Sequence, residues 1–531
     1  MLLIGLHAIG LHAQEPSRWF GIRVVDAQTG HGVPMVELET IHHVVFVTDN
    51  RGWVAIDEPD LMGREVFFHV RSHGYAFPKD GFGFAGTRVI IKPGTRTTIA
   101  IERKNLAERV GRITGADVLR DSRRLGLLES PNDPGDLLRA EVIGCDSVLT
   151  NAYRGRRYWF WGDTSVLKYP IGGSFHMTGA TTPLDATAPQ FGSDPLADAK
   201  YWVDEQGTAR AMATMPGEGP TWITAVTTVK EANGRERMLC SYVKIRPPLE
   251  PYRWGFAEWE DATEKFIHVQ STDVRPRLFP EPQSHAMRAL EARHSHGASD
   301  TTPVDWIYFC QPFPWMRVAA TAYCDTSQYE GYSCLRTGAD WADGPVDRDA
   351  DGKLVWRWRV GTAAPTPEQW QAGIERGVLL PSDPSPWPVD VDTGETIRVH
   401  NGSVAWNAYR KKWIALFSAL HVAPSARNHD AKPAKATSVL GEVYVSESEG
   451  LEGPWLHAKK VLTHDRYSFY NPKLHSFWDQ EGGRFVFFEG TYSHTFSGNE
   501  HPTPRYDYNQ VLYRLDWDRL KEELAPQHSP R

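Results

Sequence analysis

The chain reads Val142-Ile-Gly-Cys-Asp-Ser-Val-Leu-Thr150, turns at Arg154-Gly-Arg-Arg157, and continues as Tyr158-Trp-Phe-Trp161. An apolar run, a turn that contains glycine and an aromatic run in this order predict a β-hairpin. The same order recurs further along the chain, with almost no helical periodicity between the copies. This repeat decides the fold class.

Each later copy again has an apolar strand, and most continue through a turn into a second strand rich in aromatic residues. The copies are Trp222–Val229 with Met238–Tyr242, Val304–Cys310, Ser403–Asn407 with Trp413–Phe417, and Leu474–Trp478 with Phe485–Phe488. Antiparallel sheets repeated in this way are typical of a β-propeller. We therefore predict an all-β chain whose residues 137–520 form a five-bladed β-propeller. A large sandwich or jelly roll is the alternative.

Residues 18–104 form a separate unit of short strands with turn signals between them, which predicts a β-sandwich. The unit contains Val24-Val-Asp-Ala-Gln-Thr-Gly-His-Gly-Val-Pro34, Thr48-Asp-Asn-Arg-Gly52 and Gly74-Tyr75. These motifs resemble the carboxypeptidase regulatory-like (transthyretin-like) domains of secreted bacterial proteins. The resemblance implies an accessory module, and the unit shows no catalytic constellation.

Two further segments complete the predicted organisation. Residues 105–136 are polar and rich in Arg, Asp and Gly, and we interpret them as a connector that carries a short helix. Residues 1–17 begin with an apolar run that ends in Leu11-His-Ala13, a possible cleavage site before Gln14, and they resemble a signal peptide without its basic region. We therefore expect a secreted or periplasmic protein.

Composition excludes several kinds of partner. The chain has 531 residues and a net charge of −8, with no long basic run, which disfavours nucleic acid and anionic membranes. Beyond the N-terminal segment, no stretch is long enough for a transmembrane helix. Large sheets bury most of the 20 tryptophans, but an indole face also stacks on a sugar ring. Trp161 and Trp222 are our candidates for that role.

The five cysteines give little functional signal. No Cys-x-x-Cys pair is present, so zinc and redox motifs are unsupported. Cys310, Cys324 and Cys334 are close in sequence, and two of them could pair after export. A role as small buried apolar side chains is equally consistent with the sequence.

Two carboxylates stand out in the first hairpin. Pairing about a turn near Arg154 places Asp146 opposite residue 162, one step from Asp163. Cross-strand side chains lie about 5 Å apart and diagonal ones about 7–8 Å. Glycosidases hold their two carboxyl groups roughly 5–9.5 Å apart, with one protonated and one ionised. The pair therefore predicts glycoside hydrolysis, unless both side chains only bond to the backbone.

A family resemblance points the same way. An Asp in the first inner strand is followed 17 residues later by the Asp of Gly162-Asp-Thr164. This arrangement resembles the five-bladed propeller glycoside hydrolases of the endo-D-arabinanase type and, more loosely, the arabinanase and β-xylosidase propellers. The resemblance implies that Asp146 and Asp163 are the acid and nucleophile, or the acid and base.

Further polar residues begin or end the predicted inner strands, so we expect them to converge on the same site. Glu489 is the third candidate carboxylate, because it ends an aromatic strand as Asp163 does. The candidate substrate-binding residues, besides the two tryptophans, are His176, His400, Asn401, Tyr470, Asn471, His475 and His494. The histidines could bind sugar hydroxyls, act as a general acid, or hold a structural cation near the axis. No cofactor is required, and no spacing indicates a dedicated metal site.

The predicted function is a secreted glycoside hydrolase that cleaves O-glycosyl bonds of an extracellular polysaccharide. One alternative is a non-catalytic propeller that binds carbohydrate, in which Asp146 and Asp163 only accept hydrogen bonds from hydroxyl groups. A polysaccharide lyase is the other alternative, with His400 and Tyr470 as the residues that would supply its base. A propeller fold by itself does not distinguish these functions.

Overall fold

The computed structural model describes residues 17–128, 138–168, 177–292, 303–421, 439–464, 467–499 and 501–524. Apart from Ser17, the predicted signal-peptide-like segment therefore lies outside the described residues. The candidate substrate ligand His176 lies outside them as well.

The N-terminal domain is a β-sandwich, as predicted. Its strands are β1 (Phe20–Asp26), β2 (Glu37–Thr40), β3 (Val45–Val47), β4 (Trp53–Ile56), β5 (Glu65–Arg71), β6 (Tyr75–Ala76), β7 (Gly86–Ile90) and β8 (Arg96–Arg103). One sheet has the order β4-β1-β8-β6 and the other β3-β2-β5-β7. Alternate side chains of β5, namely Val66, Phe68 and Val70, are buried in the core between the sheets.

A short connecting region follows the sandwich. It contains β9 (Glu108–Arg112) and α1 (Arg120–Arg124), so the predicted short helix is present. Blade one then contains β10 (Val142–Cys145), β11 (Val148–Tyr153), β12 (Arg156–Val166), β13 (Met177–Pro183) and β14 (Lys200–Tyr201). Blade two contains β15 (Thr221–Lys230), β16 (Glu236–Arg246), β17 (Glu250–Glu260) and β18 (Lys265–Thr272).

The remaining three blades follow in chain order. Blade three contains β19 (His285–Ala292), β20 (Pro303–Cys310), β21 (Met316–Ala319), β22 (Glu330–Ser333) and β23 (Arg357–Val360). Helix α2 (Pro367–Glu375) precedes blade four, which contains β24 (Val389–Asp390), β25 (Val399–Asn407), β26 (Lys412–Ala419), β27 (Glu442–Ser448) and β28 (His457–Thr463). Blade five contains β29 (Ser468–Leu474), β30 (Phe485–Ser493) and β31 (Asn509–Asp516), followed by α3 (Trp517–Leu520).

The ring of blades is closed by a strand from outside the predicted propeller. β9 pairs antiparallel with β31 and forms the outer strand of blade five, with Val511 opposite Arg112. Residues 108–112 were placed in the connector, because a short run containing two arginines does not resemble a blade strand. The fifth sheet takes its outer strand from this earlier segment, which joins the two ends of the ring. The predicted five-bladed all-β fold is confirmed.

The sandwich is docked on blade five through buried polar contacts. Arg109 of β9 is 2% exposed and donates to the Tyr513 hydroxyl (2.9 Å), the Pro34 carbonyl (3.0 Å) and the His73 carbonyl (2.7 Å). The side chain of Asn50 pairs with the backbone of Arg112 in both directions, at 2.9 and 2.8 Å. These contacts fix the sandwich against the outer strand that closes the ring.

One predicted strand was wrong. The first strand of the fifth copy was placed at Leu474–Trp478, but the inner strand ends at Leu474, and Ser476–Trp478 is a 3₁₀ turn. Trp478 is 2% exposed and packs against Trp159 of blade one. The apolar run therefore reflects burial between two blades, which a turn satisfies as well as a strand does.

The structure also answers two smaller questions from the sequence. All five cysteines are free thiols, so no disulfide joins Cys310, Cys324 and Cys334. Along the described part of the chain, no helix combines the length and the apolar character needed to cross a membrane.

Candidate functional site

The inner strands are interrupted close to their N-terminal ends. Asp146 and Ser147 separate β10 from β11, and bulges fall after Thr224 in β15 and after Tyr470 in β29. Ser147, Ala225 and Asn471 adopt positive φ angles of 38°, 51° and 51° at these points. Bulges and strained backbone are frequent beside functional sites, because they redirect side chains that a regular strand would bury.

Asp146 and Asp163 are neighbours across the first hairpin. The backbone N–H of Asp146 donates to the Asp163 carbonyl at 3.2 Å, and that of Gly162 donates to the Asp146 carbonyl at 2.8 Å. A side chain at residue 162 would place its Cβ 1.8 Å from Oδ1 of Asp146. Residue 162 is therefore a glycine because the Asp146 carboxylate occupies the space above it.

The electrostatic environment favours a proton on this pair. Burial raises the pKa of Asp146, and repulsion from Asp163 raises it further. Burial also raises the pKa of Asp163, whereas a hydrogen bond from the Trp222 indole N–H, at 3.0 Å, lowers it. Among the described residues, neither carboxylate forms an ion pair with a lysine or an arginine. The pair therefore holds a proton more readily on Asp146 than on Asp163.

Aromatic side chains surround the two carboxylates. The Tyr470 hydroxyl lies 3.5 Å from Oδ2 of Asp146, and Tyr508 also bonds to this carboxylate. Phe496 is 55% exposed and packs edge-on against Tyr470. Asp146 itself is partly exposed, whereas Asp163 is 8% exposed. The pair is thus surrounded by aromatic side chains, and solvent reaches it from the side of Asp146; we call this region the depression.

A cavity of about 670 Å³ adjoins this depression. Tyr508 lines it together with Gly144, two residues before Asp146, and Ser165, two residues after Asp163. The rest of its wall is mainly apolar, and Tyr506 and Leu167 contribute to it. A cavity of this size, with few polar groups, is typical of small-ligand sites.

A belt of hydrogen-bonded polar side chains crosses the axis beneath the carboxylates. The members of this polar belt are Ser147, Asn471, Asn401, Gln311, Ser284 and Thr224. The strongest links are from Asn471 to Ser147 (2.7 Å) and from Asn401 to Asn471 (2.8 Å). Because these residues come from all five blades, the belt fixes the inner strands relative to one another.

Four of the predicted ligands lie in or next to this region. Tyr470 contacts Asp146, Trp222 contacts Asp163, and Asn401 and Asn471 belong to the polar belt. Each is positioned by an irregular turn or bulge at the start of an inner strand. These four positions agree with the expectation that equivalent ends of the inner strands converge on the axis.

Two of the predicted histidines lie further from the carboxylates. His400 is partly buried, with Nδ1 3.4 Å from the Ser418 hydroxyl, and burial lowers its pKa. Nδ1 of His494 pairs with Asp507 at 2.8 Å, and the His494 side chain is 38% exposed. Neither forms a hydrogen bond with Asp146 or Asp163.

Three predicted site residues do not reach the depression. Trp161 is fully buried and stacks between Trp159 and Tyr201, so it offers no face to a sugar. His475 and Glu489 are each 0% exposed, with Nε2 and Oε2 3.1 Å apart. Both were placed at the site by their position at a strand end, but the strands hold them in the interior. They form a separate buried cluster.

Sequence reasoning also missed residues that the structure places at the site. Tyr508 bonds to Asp146 but belongs to the loop before the last strand, outside the repeat. Ser147 follows the candidate acid directly, and its hydroxyl anchors the belt. Gln311 lies just after β20. A Tyr-Asp-Tyr sequence directly before a strand was the one signal available for Tyr508.

Within the described ranges, no group of three or more His, Cys, Asp or Glu side chains is placed to hold a metal ion. The described residues therefore provide no set of ligands for the structural cation that the sequence suggested near the axis. The chemistry of the depression rests on its two carboxylates and their tyrosine and tryptophan partners.

No protein-family model and no curated protein sequence matches the chain. Similar solved structures include a candidate hydrolase from Bacteroides ovatus, with 11% identity, 76% of this chain and 96% of that chain covered, and a TM-score of 0.39. A glycosyl hydrolase from Bacteroides ovatus has 8% identity, coverage of 70% and 84%, and a TM-score of 0.33. An α-L-arabinofuranosidase from Podospora anserina has 7% identity, coverage of 77% and 96%, and a TM-score of 0.32. At these scores the likenesses carry no argument, and the fold and site rest on this chain's own geometry.

Proposed function

We propose that the protein is a glycoside hydrolase that cleaves O-glycosyl bonds of a polysaccharide, with Asp146 and Asp163 as its two carboxylates. The observation that carries the proposal is that the two acids are cross-strand neighbours in one depression, without a cationic partner among the described residues. Buried carboxylates are costly unless they are paired or have a function.

The surroundings of each carboxylate suggest its role. Burial and repulsion from Asp163 raise the pKa of Asp146 more strongly than that of Asp163, which suits the general acid that protonates the leaving oxygen. Asp163 accepts the Trp222 N–H, which stabilises its ionised form and suits the nucleophile or base. The partly exposed side of Asp146 and the exposed ring of Phe496 provide the approach for a sugar.

The finer assignments also belong to this proposal. The Gly162-Asp-Thr164 motif supports an activity of the endo-D-arabinanase type, so arabinan is the first substrate to test. The motifs of the sandwich support a carboxypeptidase regulatory-like accessory domain. The signal-peptide-like segment 1–17 and a polysaccharide substrate support secretion or export to the periplasm as part of this proposal.

The test is a digestion screen of the full chain against a panel of plant and bacterial polysaccharides, with detection of new reducing ends. We expect at least one polysaccharide to be cleaved by the wild type and not by Asp146→Asn or Asp163→Asn. The matched control is Asp261→Asn, which removes an exposed carboxylate that pairs with Arg154 at the far turn of the first hairpin.

Two outcomes would replace the proposal. Binding of a polysaccharide to the wild type without any new reducing ends would favour the carbohydrate-binding propeller. Release of unsaturated uronate products that persists in both Asp→Asn variants would favour the lyase, with His400 and Tyr470 to be tested next.

A further inference from the structure

A second cavity lies further along the same axis, beyond the polar belt. It has a volume of about 370 Å³ and is lined by residues of the inner strands of four blades, such as Thr150, Met287, Ala405 and Leu474. Thr150 follows Asp146 by four residues, which corresponds to roughly 13 Å along a strand. We call it the axial cavity.

Two cationic side chains line the axial cavity without a partner. Nε of Arg157 is buried and has no hydrogen-bond partner, and its guanidinium group stacks on the Phe477 ring at 3.5 Å. Lys473 has no hydrogen bond and no ion pair with any described residue. Burial lowers the pKa of Arg157 to about 10 and that of Lys473 to about 8. Both side chains therefore lose hydration without gaining an acid.

The acids nearest to the cavity do not neutralise these two cations. Asp305 forms a bidentate ion pair with Arg288 at the rim of the cavity. Glu489 is the cross-strand partner of Lys473 but contacts His475 and forms no ion pair with Lys473, and burial raises the pKa of Glu489 to about 8. Near pH 7 the cavity wall therefore carries an excess of positive charge.

The wall also offers a neutral hydrogen-bond donor. His285 lines the cavity beside Lys473, and burial lowers the pKa of its ring. An anion placed between Arg157 and Lys473 would accept bonds from the buried, unpartnered Nε of Arg157 and from the Lys473 ammonium group.

The cavity reaches the surface of the propeller. Trp406 lines it and is 46% exposed, and Trp413 packs edge-on against it at 5.4 Å between ring centroids. A solute can therefore enter from the face opposite to the carboxylate pair. The volume accommodates a tetrahedral oxyanion or a single sugar acid, and it is too small for a longer chain.

We propose that the axial cavity is a binding site for a small oxyanion or carboxylate, held by Arg157 and Lys473. The site does not depend on the proposed hydrolase activity, because binding is measured without a polysaccharide. The anion would come either from free phosphate or sulfate, or from the carboxylate of a sugar acid. The exposed tryptophan at the mouth favours neither source by itself.

The test is isothermal titration of the full-length protein with sodium phosphate, sodium sulfate and sodium glucuronate, each at constant ionic strength in NaCl. Glucose is the uncharged control. We expect saturable binding of at least one anion and none of glucose. Arg157→Gln and Lys473→Gln should each weaken that binding about tenfold or more, because a charge-assisted hydrogen bond is lost.

Arg154→Gln is the matched control, since it removes the same charge from the same hairpin but at an exposed ion pair with Asp261. The affinity of the Arg154→Gln variant for the anion should equal that of the wild type. Phosphate or sulfate binding without glucuronate binding identifies a free oxyanion, and the reverse identifies a sugar acid. Either result supports the site.

A crystal soaked with selenate provides a measurement that needs no variant. An anomalous peak between Arg157 and Lys473 is expected. The proposal is overturned if no anion binds saturably to the wild type, if both Gln variants keep wild-type affinity, or if selenate occupies other positions only.

Discussion

The hairpins of blades one and five carry acids in similar local sequences, Trp161-Gly-Asp-Thr164 and Phe487-Phe-Glu-Gly-Thr491, yet they place them differently. In blade one the last regular pair before the interruption is Val148 with Trp161, and Asp163 lies two residues beyond it. In blade five the last regular pair is Lys473 with Glu489 itself. Glu489 is therefore within the ladder and fully buried.

The difference shows that the register relative to the bulge, and not the local sequence, decides which acid reaches the depression. Two residues past its last regular pair, blade five has Thr491, whose hydroxyl accepts the backbone N–H of Ser147. At the position where blade one has the carboxylate of Asp163, blade five therefore has Thr491, which makes a structural hydrogen bond. The acid of blade five instead lies in the interior, 3.1 Å from the His475 ring.

The largest expected effect separates these two acids by activity. Asp146→Asn and Asp163→Asn should each lower kcat/KM by about 10²–10⁴-fold or more, because acid–base assistance is lost. Glu489→Gln should change kcat/KM by less than about tenfold, because Glu489 is buried away from the depression. Initial rates on the polysaccharide found by the screen provide the measurement. Equal losses in all three variants would contradict the distinction between the two hairpins.

The second effect concerns Trp161, which the sequence placed among the sugar ligands. Trp161→Ala should lower the free energy of unfolding by about 3–5 kcal/mol, since it leaves a cavity in the core between blades one and five. KM of the folded fraction should stay near the wild-type value. Urea unfolding and rates at saturating and limiting substrate provide the two measurements. A raised KM with unchanged stability would restore Trp161 as a ligand.

The sequence predicted the propeller, its five blades and the neighbouring positions of Asp146 and Asp163, because hairpin periodicity and turn residues are local signals. It did not predict β9 in blade five, since pairing between residues about 400 apart leaves no local pattern. It misplaced Glu489 and His475, because a bulge shifts which side chains are buried without changing the sequence motif. Tyr508 was missed because it lies in a loop.

The third effect is the pH dependence of stability at Glu489. Burial raises the pKa of Glu489 to about 8 in the folded state, so its contribution to stability is complete below about pH 4.5 and is lost as the pH rises through 8. Glu489→Gln does not titrate. Relative to the wild type, the variant should gain about 1–3 kcal/mol in the free energy of unfolding between pH 5 and pH 8.

Urea unfolding of both proteins at the two pH values provides this measurement. The pKa of Lys473, lowered to about 8 by burial, changes stability mainly above pH 8. The buried His285 and His475 are present in both proteins, so the difference between the two proteins reports on Glu489. A difference between the two proteins that does not change from pH 5 to pH 8 would show that Glu489 titrates normally in the folded state. In that case Glu489 would be as well hydrated in the folded protein as an exposed glutamate.

The smallest effect tests the hydrogen bond that distinguishes Asp163 from Asp146. The Trp222 indole N–H lowers the pKa of Asp163, so Trp222→Phe should raise that pKa while keeping an aromatic ring in place. The acidic limb of the kcat/KM profile should therefore move to higher pH by about one unit, which corresponds to about 1.4 kcal/mol. Trp315→Phe is the matched control, because its indole N–H bonds to the Glu452 carbonyl, away from both carboxylates. An acidic limb that moves equally in both variants, or in neither, would mean that the indole of Trp222 does not set the ionisation of Asp163.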